Sequence, residues 1–271
     1  MNSPTVIIAL LATTAYASTF WYLLIHLLQK VQPKKLTALV LLSLGLVLHG
    51  WVLFPQLFSS AGINYNIFNL LSFTSWLMLA FTLLFSTYRA VLGLNLLATP
   101  VACVGLLVSV IWQAPFVPLN TGGIELDIHI FLSLAAYCVL GMAAIQAILL
   151  WAQNRELKQK SSKRIWVALL PPLQTMEKLL FDMILLGFLL LTAALLLGLF
   201  NIENFLGQHL AHKTVFSLLS WLVFGVLLLG HWRMGWRGQR AIRFTLWGFG
   251  LLLLGFIGSK LVLELILHIP A

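Results

Sequence analysis

Charge is what this chain has least of. Of 271 residues, seven are acidic and sixteen are lysine or arginine, 8% together, against about 25% in ordinary globular domains. A soluble domain of this length has nowhere to hide the 61% of its residues that are hydrophobic, so the soluble classes are excluded. Cysteine is nearly absent. Cys103 and Cys138 both lie inside apolar runs and read as small core residues, not as a disulfide or redox pair. The zinc spacing HExxH is missing, as are a Walker loop, a nucleophile elbow, internal repeats and low-complexity tracts. No basic region precedes the first apolar run, Met1 to Gln29, and its basic end follows it, so no cleavable signal is expected.

What is present is a series of long, continuous apolar runs. In lipid every backbone polar group must be satisfied within the segment, which favours helices. A barrel would need short alternating strands instead. The expected fold is therefore all-α, a polytopic membrane bundle forming one domain over residues 1–271. Eight runs have the length of roughly 20 residues that a bilayer requires: Pro4–Gln29, Leu36–Phe58, Ile67–Tyr88, Val91–Gln113, Ile128–Gln153, Glu177–Phe200, Lys213–Trp232 and Phe244–Leu267. Only a short turn around Arg89 separates the third from the fourth, which predicts a tight hairpin.

The net charge of +9 is distributed between these runs, so it reads as membrane topology and not as a nucleic-acid surface. One set of connections holds Lys30, Lys34 and Lys35; Arg89; Arg155, Lys158, Lys160, Lys163, Arg164 and Lys178; and Arg233, Arg237, Arg240 and Arg243. The other set, with the C-terminus, holds only Lys213 and Lys260, beside Glu125, Asp127, Glu203 and Glu264. The first set is assigned to the cytoplasm, which places both termini on the outer side. The one long cytoplasmic connection, Asn154–Thr175, carries the run RELKQKSSKR, a stop-transfer cluster or a seat on anionic headgroups. Pro171 and Pro172 break the chain before the sixth run. The outer loops Ser59–Asn66, Ala114–Asp127 and Asn201–His212 are too short for a further domain but long enough for a lid.

Seven histidines stand out: His26, His49, His129, His209, His212, His231 and His268. An ionisable group inside a span is costly and marks function by default, and imidazole is the usual axial ligand of haem and of transition metals. His49 is nine residues before Phe58, roughly 13 Å below the outer end of its span at 1.5 Å per residue. Its own segment, LVLLSLGLVLHGWVLF, offers it no polar partner. His129 and His212 open the fifth and seventh runs at matching depth and can face one ligand near the outer surface. His231 falls roughly 27 Å lower than Lys213 on the same arithmetic, so a single haem joining it to His49 needs a tilted or broken helix. The plain readings stand beside these: His26, His231 and His268 as interfacial residues, His209 as a solvated loop residue. Only Asp127 accompanies the histidines as a carboxylate, which disfavours a dinuclear metal centre. Tryptophans near the span ends form an aromatic belt, and Gly187 with Gly198, and Gly225 with Gly230, permit close helix packing. Lys213 is either a snorkelling cation or a partner for a haem propionate.

Several stretches together resemble a known family. LVLHGWVLFPQLF followed by NIFNLLSFTSWLML, then HIFLSLAAYCVLGMAAIQAILLW, then LPPLQTMEKLLFDMILLGFLLLTAALLLG, and finally HKTVFSLLSWLVFGVLLLGHWRMGWRGQRA with GFIGSK, resemble in order and spacing the integral-membrane cytochrome c assembly proteins, the CcsA/CcmC/HemX group. The resemblance implies b-type haem held by histidine pairs, and a role in cytochrome c maturation or haem trafficking alongside other biogenesis proteins in a bacterial inner membrane. By position His49 matches the family's early transmembrane histidine, and His129 matches the histidine at the outer mouth of a later span. His231 lies near the later transmembrane histidine with its offset from Trp221 shifted, and His268 lies near a C-terminal outer histidine. One departure is plain. Members that deliver haem to apocytochrome carry a tryptophan-rich WWD segment where this chain reads NIENFLGQHLAHK, without tryptophan. The likeness is closest to the smaller HemX/YpjD-like branch.

The expectation is thus a haem carrier or regulator whose neutral imidazoles, drawn from His49, His129, His212 and His231, hold the porphyrin, with no catalytic step and no enzyme activity. Two rivals remain: a transporter or channel whose histidines relay protons or bind a metal, and a cofactor-free regulatory scaffold docking a cytoplasmic partner.

Overall fold

The computed structural model describes residues 3–29, 31–59, 62–89, 92–112, 124–158, 171–201 and 211–261. They form eight long helices: α1 (Ser3–Leu28), α2 (Lys35–Leu57), α3 (Ile67–Tyr88), α4 (Leu92–Ile111), α5 (Ile124–Lys158), α6 (Leu173–Asn201), α7 (Ala211–Met234) and α8 (Gln239–Leu261). Seven of these, α1 to α7, are long and apolar enough to cross a membrane. The eighth opens on Arg240 and Arg243 and is described only to Leu261.

The helix ends follow local chemistry. Pro4 sits in the first turn of α1, where a missing N–H costs nothing. Asn66 caps α3 by accepting a hydrogen bond from the Phe68 N–H at 2.8 Å. Pro171 and Pro172 directly precede α6. Gly235 ends α7 in a left-handed conformation, φ 65°, and its N–H returns to the His231 carbonyl at 3.1 Å. Two features differ from the sequence reading. α5 continues as helix through Asn154–Lys158, because Arg155, Glu156 and Lys158 are good helix formers that need no lipid. The loop after α2 holds a small antiparallel hairpin, Phe58–Ser59 against Gly62–Ile63, in which Gly62 takes φ 117°.

Chain contacts divide the molecule into two compact units, one built on α1–α4 and the other on α5, α6 from Met176 onward, α7 and α8. In the first, α1 packs on α2 and α4, and α3 packs on the same two, giving a ring of four helices. Tyr16, Leu42, Leu79, Ala98 and Ala102 fill its centre, with Ala9, Ala12, Val52 and Leu106 as a second layer. This unit is inside-out relative to a water-soluble bundle. On α2 the outward stripe is Val40, Leu44, Val47, Trp51 and Phe54, while the inward one includes Gly45 and His49. On α3 the inward stripe is Asn69, Ser72, Ser75, Thr82 and Ser86 around Leu79. Lipid solvates the outer stripe, so small and polar residues hold the inside by close packing and hydrogen bonds.

In the second unit α8 packs against α5 and α7. Gly187 of α6 seats the Leu140 side chain of α5; a Cβ there would lie 2.5 Å from Leu140 Cδ2. Trp221 of α7 stacks on Phe188 of α6 and donates its indole N–H to Thr192 Oγ1 at 2.8 Å. Ser220 donates to the Gly248 carbonyl of α8 at 2.8 Å.

Candidate functional site

His49 has no polar neighbour in its own helix, and the ring of four helices supplies them from two others. Its Nδ1 lies 3.1 Å from Tyr16 Oη of α1, and its Nε2 lies 2.9 Å from Ser72 Oγ of α3. Tyr16 has no other hydrogen-bond partner among the described residues, so the phenol donates to Nδ1 and Nε2–H donates to Ser72. Ser72 Oγ is 3.3 Å from Ser109 Oγ of α4, which also bonds the Leu106 carbonyl at 2.9 Å. All of His49 is buried, as is Ser72. The imidazole thus joins four helices, and neither ring nitrogen has a lone pair left for a metal in this arrangement.

His129 is placed differently. It stands in the second turn of α5, half-buried, and its Nδ1 donates to the Ala194 carbonyl of α6 at 2.7 Å. A carbonyl can only accept, so Nδ1 carries the proton and Nε2 keeps its lone pair. Gly198, one turn beyond Ala194, makes room for the ring: a Cβ there would come within 3.0 Å of His129 Cε1. Metal-ligating histidines are commonly fixed in this way, with one ring N–H on a carbonyl and the other nitrogen free.

His231 repeats that arrangement at the far end of α7. Its Nδ1 donates to the Trp236 carbonyl at 2.9 Å, across the turn that Gly235 closes. Its ring stacks on Phe181 of α6, with centroids 3.6 Å apart and planes at 17°. Trp236 is folded over Gly230, where any Cβ would collide with its indole. Glu177 Oε1 accepts from the Gly238 N–H at 2.6 Å and ties the turn to the start of α6.

The four candidate ligands are divided between the two units. His49 belongs to the first unit; His129, His212 and His231 belong to the second. Along α6, the neighbours of His129 (Ala194 and Gly198) are at least thirteen residues from the neighbour of His231 (Phe181), roughly 20 Å of helix. That separation keeps His129 and His231 off one iron. The side chains of His212 and Lys213, and all of His209 and His268, lie outside the described residues. His26 bonds the Tyr22 carbonyl of its own helix at 2.8 Å, as an end-of-helix histidine does. Among the described residues no three His, Cys, Asp or Glu side chains converge.

Tyr16, Ser72 and Ser109 are the residues that sequence reasoning missed around His49. A signal existed in the spacing of Asn69, Ser72, Ser75, Thr82 and Ser86, which puts these five polar residues of α3 on one face. Phe181 and Trp236 carried no such mark.

Comparison with known proteins adds an independent line. The family described as Cytochrome C assembly protein matches residues 5–267. The inner membrane protein YpjD of Escherichia coli K12 is 30% identical over 263 residues, 96% of this chain and 99% of that protein. A 28.8 kDa protein encoded in the nifR3-like 5' region of Azospirillum brasilense is 33% identical over 195 residues, 70% of this chain and 72% of that protein. With seven helices fit to cross a bilayer, this likeness makes the chain a multi-pass protein of the bacterial inner membrane.

Proposed function

The chain belongs to the cytochrome c assembly protein family, and from that premise we propose that it is a haem-binding protein acting in cytochrome c-type biogenesis or its regulation, as a carrier and not an enzyme. The observation that carries the reading is the His129 imidazole, its tautomer set by the Ala194 carbonyl and its Nε2 lone pair left for iron. Bis-histidine ligation leaves iron no open reaction position, which suits carriage. His129 would hold b-type haem through Nε2, with His212 at the start of α7 as its partner. Lys213 beside it would meet a propionate. His231, prepared in the same tautomer, is a second candidate nearer the basic turn. His49 fits the group less well, since Ser72 holds its Nε2. The alternation of basic and base-poor connections supports eight spans with both termini on the periplasmic side. The absence of tryptophan from NIENFLGQHLAHK favours haem transfer or regulation over attachment to apocytochrome, and the partners are the bilayer and other biogenesis proteins.

The hydrogen-bonded chain Tyr16–His49–Ser72–Ser109 favours one rival, a transporter relaying protons through the first unit. Purification in mild detergent separates the two readings. The haem reading expects a Soret band that His129→Ala removes while the helical signal persists. A colourless protein that takes up no added haem, yet moves protons when reconstituted, sinks it in favour of the rival.

A further inference from the structure

The α4 helix carries three polar groups in one turn that its own backbone does not satisfy. Asn95 is fully buried; its Nδ2 donates to Ser86 Oγ of α3 at 2.7 Å, but its Oδ1 has no partner among the described residues. Thr99, 1% exposed, has an equally unpartnered hydroxyl. Thr13, Thr19, Thr74, Thr192 and Thr245 each turn their hydroxyl back to the carbonyl four residues earlier, and Thr99 does not. The third group is the Leu96 carbonyl. Its helical donor would be the N–H of residue 100, and Pro100 has none.

Asn95 and Thr99 are four residues apart and so lie on one face of the helix. Leu96 belongs to the same turn. Together they offer two acceptors and one hydroxyl, a set that a single water matches by accepting from Thr99 and donating to Asn95 Oδ1 and the Leu96 carbonyl. A buried water typically makes about three such bonds, and proline-broken turns in membrane helices are commonly re-satisfied by hydroxyl side chains and ordered water. A metal cation fits worse. It would leave the Thr99 proton unplaced, and the first unit itself offers it no counter-charge, since its residues 1–121 and 163–175 contain no aspartate or glutamate.

We propose that the first unit holds an internal water site at this turn, built from Asn95 Oδ1, the Leu96 carbonyl and the Thr99 hydroxyl, independent of any haem. The site is part of the α3–α4 hairpin, since Ser86 reaches it through Asn95 and in turn donates to the Thr82 carbonyl at 2.7 Å. The test is X-ray radiolytic labelling of the full chain in detergent, in which a bound water that exchanges slowly marks the side chains beside it. The site predicts slow-exchanging label on Leu96 and Pro100, retained in Thr99→Ser and lost in Thr99→Val and in Asn95→Leu. Label that is absent from the wild-type protein, or unchanged in both of the latter variants, overturns the proposal. So does a melting temperature that rises with sodium or potassium but not choline and falls back in Thr99→Val, which would mark a cation site.

Discussion

Gly45 of α2 lies directly under the Tyr16 ring of α1: a Cβ at residue 45 would stand 2.5 Å from Cε1 and 2.6 Å from Cδ1. The same ring carries the phenol that bonds His49, so one missing methyl group lets the two helices close and sets the histidine's partner in place. Gly45→Ala must push the ring aside. Overpacking of this kind costs about 1–3 kcal/mol, and the expected outcome is a clear fall in melting temperature in detergent. Tyr16→Ala removes the clash, so adding Gly45→Ala to it should cost much less than Gly45→Ala alone. A double-mutant cycle measures this coupling; equal costs in both backgrounds would separate the two residues.

Ser72→Ala removes the acceptor for His49 Nε2–H and leaves a buried donor unpaired. Such a group costs about 1–3 kcal/mol, so Ser72→Ala should melt earlier than the wild type, and Ser72→Thr, which keeps the hydroxyl, should recover most of the loss. The same variant bears on haem. If His49 binds iron through Nε2, freeing that nitrogen should strengthen the Soret band per folded protein. If His129 is the ligand, the band should not respond beyond the loss of folded protein.

Gly198 tests the His129 assignment without touching the imidazole. A Cβ would come within 3.0 Å of Cε1 and 3.3 Å of Nδ1, displacing the ring from the Ala194 carbonyl. Gly198→Val is expected to weaken haem retention, seen as a smaller Soret band per folded protein and a faster loss of haem to an apoprotein acceptor. Gly187→Ala, on the same helix but packed on Leu140, should cost stability and leave haem retention per folded protein unchanged. Equal haem loss from both variants would assign the effect to the helix and not to the histidine.

Seven spans were legible because lipid imposes a length and a composition on every crossing segment; His129 stood out as a candidate because an ionisable group at the mouth of a span is costly. What sequence could not give was the third dimension of the polar groups. The run around His49 offers no partner within its own helix; Tyr16 precedes it by 33 residues and Ser72 follows by 23. Both are unremarkable residues until the ring of four helices turns them inward. The depth arithmetic ran the same way. It placed His231 far below the mouth of its span, but it could not foresee that Gly235 would turn the chain back so that the Trp236 carbonyl fixes the ring. Helix length is encoded locally, whereas a tautomer depends on which carbonyl arrives from elsewhere.

The turn between α7 and α8 offers a prediction that concerns topology as well as stability. Glu177 Oε1 accepts the Gly238 N–H just before α8 begins, where a negative charge also meets the positive end of that helix's dipole. Around this contact Arg233, Arg237, Arg240 and Arg243 are all exposed, and Arg240 lies over the Trp236 ring at 5.8 Å. Glu177→Ala removes both the acceptor and the charge, worth on the order of 1 kcal/mol at a half-exposed site, and should loosen this turn before the rest of the unit. Glu177→Gln keeps an acceptor and should be milder. Trypsin reads the difference, since an arginine is cut only when its backbone can open locally. In inverted membrane vesicles cleavage at Arg233 or Arg237 should be faster in Glu177→Ala than in the wild type, while right-side-out spheroplasts should protect both. Cleavage from the periplasmic side instead would reverse the orientation drawn from the positive charges, and equal rates in Glu177→Ala and the wild type would remove Glu177 as the tie that holds the turn.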